Sequence, residues 1–180
     1  MDLKKALSLL VREFDSREIP YALIGGFAMG ALGAPRSTID LDFLIASESL
    51  GKVEAVMLES GYKKVFSSEN ASQYVSPDKE LGEVDFLHAF RPISRKMLEN
   101  SGTAAVFAGA IKVKVLKAED LIGLKVQAIA NNPNRFYKDN ADIEELLKIV
   151  EVDWEKLKTY FALFDMTGRF LELRAKYERK

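Results

Sequence analysis

The stretch Thr38-Ile39-Asp40-Leu41-Asp42-Phe43-Leu44-Ile45 decides how this chain is read. Successive residues of a strand point to opposite faces, so Asp40 and Asp42 share one face while Leu41 and Phe43 enter a core on the other. Aspartate is a poor strand former, and two close carboxylates repel each other unless a cation neutralises them. A local preference broken inside an apolar run is the kind of inconsistency that functional sites show. A third carboxylate repeats the pattern: Asp85 stands between Val84 and Phe86 in a second strand-like run, Gly82 to His88. If the two strands are neighbours, three carboxylates meet and can hold two divalent cations. Each motif alone has a plainer alternative, an acidic pair on an exposed edge strand or one charge on the wet face of a half-exposed strand.

Upstream, the apolar run Tyr21 to Ile24 ends at Gly25-Gly26 and leads into a short helix candidate, Phe27 to Leu32, which Gly33, Ala34 and Pro35 break. Backbone N–H groups at such a turn can bind phosphate, and a missing Cβ lets a ligand approach closely. A glycine pair after a strand also serves ordinary turns. Arg36, Ser37 and Thr38 open the aspartate strand; Arg36 can pair with a phosphate and either hydroxyl can donate to one. An exposed loop cation is the alternative for Arg36.

Ile24-Gly25-Gly26, then thirteen residues, then Asp40-Leu41-Asp42-Phe43, and later Val84-Asp85-Phe86, resemble the signature of the polymerase β nucleotidyltransferase superfamily. In that family a hydrophobic residue and Gly-Gly or Gly-Ser precede an Asp-x-Asp/Glu strand, and a third acidic residue follows on a later strand. Leu116 to Lys125, followed by Arg135 and by Lys138-Asp139-Asn140-Ala141-Asp142, is similar to the small prokaryotic branch that includes the AbiEii-type toxins and, more distantly, the aminoglycoside nucleotidyltransferases. Arg36-Ser37-Thr38 matches the Arg-x-Thr of that branch. The resemblance implies an α/β (α+β) fold, a nucleotidyltransferase-like mixed sheet flanked by helices with a C-terminal helical part closing over the nucleotide. It implies transfer of a nucleoside monophosphate from an NTP to an acceptor hydroxyl on transfer RNA, protein or a small molecule. Asp40, Asp42 and Asp85 would hold magnesium, two ions with manganese as the substitute, and Asp85 would help deprotonate the acceptor. Gly25, Gly26, Arg36, Ser37, Thr38 and Lys125 would hold the nucleotide phosphates, and a toxin role with an antitoxin-like partner stays open. Two rivals remain: a non-catalytic nucleotide- or partner-binding module on the same fold, and aminoglycoside modification, for which Asp78, Glu80 and Glu83, offset by Lys79, would supply an acidic cleft.

The rest of the first half reads as a helix over Leu3 to Glu18, with Leu7, Leu10, Val11 and Phe14 at helical spacing, and a second over Leu50 to Ser60 stopped by Gly61. Tyr62 to Phe66 and Gln73 to Val75 are strand-like, Arg91 to Asn100 reads as helical, and Ala104 to Phe107 with Ile111 to Val115 form a hairpin through Ala108-Gly109-Ala110. After Lys117 the pattern turns helical: Ala118 to Ala130, a turn over Asn131 to Asn134, Arg135 to Val150, Trp154 to Phe164 and Arg169 to Lys180. A catalytic core over 1–117 and a helical subdomain over 118–180 follow as the expected division, together one compact unit. Lys125 lies on the apolar stripe of Leu121, Leu124 and Ala128, so it must snorkel, meet an anion or join a buried ion pair. Lys138 and Asp142 stand at i and i+4, the spacing of an intrahelical salt bridge; Asp139 and Asp142 can instead orient Lys125 or substrate. His88 falls on the strand face opposite Asp85 and reads as structural.

Composition narrows the chemistry. The sequence has no cysteine and a single histidine, so thiolate sites, disulfides and multi-histidine zinc centres are excluded, and carboxylates favour hard cations. A net charge of −1 over 180 residues argues against bulk electrostatic coating of nucleic acid. Arg169, Arg174, Lys176, Arg179 and Lys180, against Glu172 and Glu178, form either a basic patch or a solvated helix face. No apolar run approaches membrane-spanning length, and the first residues lead into an amphipathic pattern without a signal-peptide core, so a cytoplasmic protein with no membrane partner is expected.

Overall fold

The computed structural model describes residues 1–34 and 36–178. The chain divides into two compact units, Met1–Ala31 with Pro35–Leu116, and Leu32–Ala34 with Lys117–Lys180. The first unit is built on a seven-stranded mixed sheet. Its strands are β1 Tyr21–Ile24, β2 Leu41–Ala46, β3 Lys63–Ser67, β4 Ala71–Val75, β5 Glu83–Ala89, β6 Gly102–Val106 and β7 Ile111–Val115, in the order β3-β4-β5-β2-β1-β7-β6. β2 pairs parallel with β5 and β1 parallel with β7, while the other neighbours are antiparallel. Helices α1 Leu3–Ser16, α2 Gly25–Ala31, α3 Leu50–Glu59 and α4 Pro92–Glu99 complete the unit.

One face of the sheet packs an aromatic core. Phe14 of α1 has its ring centroid 5.3 Å from that of Tyr21 and 5.5 Å from that of Phe43, and Phe43 stacks on Phe86 at 5.7 Å. Tyr74 meets Phe86 edge-on, so β1, β2, β4 and β5 each contribute a ring. Such pairs are worth about 0.5–1.5 kcal/mol each beyond the area they bury, and with period-two alternation they fix which side chains face the other way. The opposite face of β2 and β5 therefore carries Asp42 and Asp85.

Several boundaries differ from the sequence reading. β2 starts at Leu41, so Asp40 sits in a bend just before the strand, and Ile39, expected within it, is 84% exposed. α2 begins at Gly25 itself. Phe107, expected in a strand, belongs to the hairpin turn, where Phe107, Ala108 and Gly109 all have positive φ. His88 is buried, its Nε2 3.1 Å from Ser72 Oγ and its Nδ1 2.9 Å from the Glu69 carbonyl, the satisfied structural histidine that its face predicts.

The second unit holds α5 Ala118–Asn131, α6 Phe136–Ile149, α7 Trp154–Leu163 and α8 Thr167–Tyr177. Gly123 lets α7 come close to α5: a Cβ there would meet the Tyr160 ring at 2.8 Å. Tyr160 in turn donates a 2.5 Å hydrogen bond to the fully buried Asp120, which also pairs with Lys156. Among the described residues the C-terminal cations are paired with carboxylates. Arg169 pairs with Glu144 and Glu172, Arg174 with Glu178 and Glu155, and Lys176 with Glu144; Arg179 and Lys180 lie outside the described residues. No helix among the described residues is long and apolar enough to cross a membrane.

Glu144 is the hub of this network, accepting from Lys176 at 2.7 Å, Tyr177 at 2.6 Å, Arg169 at 2.6 Å and Asn140 at 3.2 Å. The hydrogen bonds from Lys176 and Tyr177 lead in pulling its carboxyl down to about 2. A depressed carboxyl pKa stabilises the fold fully above the unfolded value and loses that contribution as pH falls through the folded one. Glu144→Gln should therefore lower Tm at neutral pH, and the gap should close as pH drops from 4.5 toward about 2. Allowing for the partial exposure of these pairs, the expected cost is about 1 kcal/mol, roughly 2–4 °C, read by calorimetry across that pH range.

Candidate functional site

Parallel pairing of β2 and β5 puts Asp42 directly opposite Asp85. Asp40 joins them from the bend before β2, and one carboxylate oxygen from each of the three lies within 4.8 Å of the others. All three are half-buried. Unit charges at that separation repel by about 3 kcal/mol per pair at an effective dielectric constant near 20. Asp85 shows the strain: burial pushes its carboxyl up, a hydrogen bond from Gln73 partly opposes this, and the Asp40 charge adds to the rise. Its Oδ1 is buried without a hydrogen-bond partner. An orphaned carboxylate oxygen facing such a cluster is costly unless a ligand completes it.

The local sequence makes room for this arrangement. Gly25 has φ +67°, and a Cβ there would stand 1.9 Å from Asp42 Oδ2. A Cβ on Gly26 would meet the Thr38 side chain at 2.9 Å. The two glycines thus admit the acidic strand and the segment that leads into it. Thr38 Oγ1 donates to Asp40 Oδ1 at 2.5 Å, so the hydroxyl read as a phosphate donor orients a carboxylate. Gly26, Arg36, Ser37 and Thr38 line an open groove of about 710 Å³ whose remaining wall comes from Leu3, Phe27, Gly30, Ala31, Ala105, Val106 and Phe107. Phe27 and Phe107 meet across it with centroids 5.7 Å apart.

The hard oxygen donors, their spacing and the partnerless Oδ1 fit a magnesium- or manganese-type cation held by Asp40, Asp42 and Asp85. Asp78 and Glu80, considered for an acidic cleft, pair with Lys5, and Glu83 accepts from Gln73 at 2.5 Å.

The remaining sequence candidates belong to the helical unit. Lys125 is 8% exposed and bonds Asp142 at 2.5 Å and Asp139 at 3.3 Å, and Arg135 grips Asp139 at 2.7 Å. The i,i+4 bridge between Lys138 and Asp142 is not among the ion pairs of the described residues. Asp142 turns to Lys125 instead, because a buried ammonium needs a carboxylate more than an exposed one does. The sequence reading passed over Gln73, whose only signal was its place in the alternation of β4, and over the Phe27–Phe107 wall, which depends on the hairpin turn.

The sequence matches no protein-family model and no curated protein. Solved structures do match. The antibiotic-resistance factor ANT(2'')-Ia superposes with a TM-score of 0.70 at 19% identity, covering 99% of each chain. An antigenic nucleotidyltransferase-like protein from Paracoccidioides brasiliensis gives 0.63 at 20% identity, over 99% of this chain and 93% of that one. The lincosamide antibiotic adenylyltransferase LnuA, lincomycin-bound, gives 0.55 at 17% identity, over 82% and 98%. The chain therefore has the nucleotidyltransferase fold, a seven-stranded mixed sheet with flanking helices.

Two substitutions probe the geometry. Gly25→Ala should cost about 1–2 kcal/mol from the left-handed backbone alone and, by displacing Asp42, weaken Mn2+ binding at least about ten-fold in a calorimetric titration. Asp85→Asn should raise Tm in EDTA, because it removes one charge from the cluster. Added Mg2+ should reverse the order by stabilising the wild type alone, as thermal shift would report.

Proposed function

We propose that this chain is a nucleotidyltransferase that moves a nucleoside monophosphate from an NTP to an acceptor hydroxyl. The observation that carries the reading is the meeting of Asp40, Asp42 and Asp85 within 4.8 Å, with Asp85 Oδ1 buried and partnerless. In the transfer the acceptor oxygen bonds to the α-phosphorus, the α–β phosphoanhydride bond breaks, and pyrophosphate leaves. Asp40, Asp42 and Asp85 would hold divalent cations, which when bound offset the charge of the triphosphate and acidify the attacking hydroxyl. Thr38 keeps Asp40 turned, and the Gly25 gap keeps Asp42 in place. Asp85 would complete the site and help deprotonate the acceptor hydroxyl. Gly26, Arg36 and Ser37, on the groove beside the cluster, would contact the phosphates. By the resemblance alone, Lys125, Lys138, Asp139 and Asp142 of the helical unit are candidates for nucleotide contact.

A small hydroxylated molecule is the acceptor class we favour. Two of the structurally similar proteins carry antibiotics, adenylyl-2''-tobramycin with ANT(2'')-Ia and lincomycin with LnuA, and ANT(2'')-Ia is matched along nearly its whole length. A toxin role and an antitoxin-like partner rest on the Leu116–Lys125 and Lys138–Asp142 motifs alone.

The test is transfer of label from each of four α-labelled NTPs, with Mg2+, into an acceptor panel of small-molecule extract, aminoglycosides, lincosamides, total RNA and cellular protein. Label should enter one acceptor class with the wild type and fall to background with Asp40→Asn/Asp42→Asn. Equal label with both proteins would sink the carboxylate mechanism.

A further inference from the structure

The face of the sheet that bears Asp42 and Asp85 continues into β4. Gln73 is the direct register partner of Asp85 across the antiparallel β4–β5 pair, and Asp85 is in turn the register partner of Asp42 across β2–β5. Gln73, Asp85 and Asp42 thus form one row of side chains on one face, at neighbouring-strand spacing. Glu83, two residues before Asp85 on β5, shares that face. Its Oε1 accepts from Gln73 Nε2 at 2.5 Å. That bond fixes the orientation of the amide, because a carboxylate cannot accept from the Gln73 oxygen. With its nitrogen turned to β5, Gln73 stands beside the Asp85 carboxylate, its register partner across the strand pair.

We propose that Gln73 is a positioning residue of the carboxylate site: oriented by Glu83, it holds the Asp85 carboxylate across the strand pair and leaves Oδ1 for a bound cation. This rests on the metal-binding reading of Asp40, Asp42 and Asp85 given above. The residue type supports it. A lysine or arginine at this point would neutralise Asp85 and compete with the cation, whereas an amide directs the carboxylate and leaves its charge intact. Thr38 plays the matching part for Asp40, again as a neutral donor. Partners that orient metal ligands from outside are worth about 10–100-fold in metal affinity.

The experiment is a Mn2+ titration of the full chain, followed by electron paramagnetic resonance of the free ion, with no nucleotide or acceptor present. Wild type, Gln73→Leu, Gln73→Lys, Glu83→Gln and Asp42→Asn are compared, and the Tm of each in EDTA shows that it is folded. Gln73→Leu should weaken Mn2+ about ten-fold. Glu83→Gln should weaken it less, because the amide stays but loses its fixed orientation. Gln73→Lys should weaken it most of the three, the outcome a purely structural side chain would not give. Gln73→Leu and Glu83→Gln binding Mn2+ as tightly as a wild type that itself depends on Asp42 would overturn the role of Gln73 alone. A wild type with no Asp42-dependent Mn2+ binding would overturn the carboxylate-site reading and this one together. If Gln73→Leu does not fold, Glu83→Gln, whose side chain is half-exposed, decides.

Discussion

Everything in the sheet unit depends on one close approach. The Asp42 carboxylate occupies the space where any residue but glycine at position 25 would place its Cβ, and Gly25 takes a left-handed φ that costs other residues energy. That approach lets β1 run into α2 directly beside the acidic strand, while the β2–β5 pairing sets Asp42 opposite Asp85. The glycine pair, read from sequence as a phosphate cradle, has an internal task first: it seats Asp42 and Thr38. The two tasks are compatible, since Gly26 and Thr38 also line the groove that opens beside the cluster.

The second constraint is the alternation of β2. Leu41, Phe43 and Ile45 are wholly buried on the face where Phe14, Phe86 and Tyr21 pack. Asp42 cannot turn away from Asp85 without turning Phe43 out of that core, because a one-residue slip exchanges the faces. Hydrophobic burial thus supplies the free energy that holds like charges together, and at Asp85 burial first and the Asp40 charge second push the carboxyl up.

Much of this was legible in the sequence because it lies in local periodicity. The order of elements, the three aspartates and the helical second half follow from apolar spacing and from glycine and proline punctuation. What was not legible depends on contacts between strands. Ile39 reads as a strand residue, yet it is exposed because Thr38 bonds Asp40 and keeps the chain in a bend. Phe107 reads as the end of a strand, yet its positive φ puts it in the turn beside Phe27. Gln73 is an ordinary polar residue in an alternating segment until the β4–β5 register sets it against Asp85. Lys138 and Asp142 have the spacing of a helix-surface pair, and only the buried Lys125 on a neighbouring helix explains why Asp142 faces elsewhere.

Carboxylates in this chain divide by the partners they keep. Asp139, Asp142 and Glu144 of the helical unit are met by Lys125, Arg135, Arg169 and Lys176, and a carboxylate closed by cations has little charge left to offer a metal. Asp40 receives a hydrogen bond from the uncharged side chain of Thr38, and Asp85 has the uncharged Gln73 as its register partner. Neutral donors restrict direction without cancelling charge, so they suit a site whose negative potential is meant for a ligand. The same residue type thereby serves structure at Asp139 and Asp142, where cations close it, and is only directed at Asp40, where a neutral hydroxyl meets it.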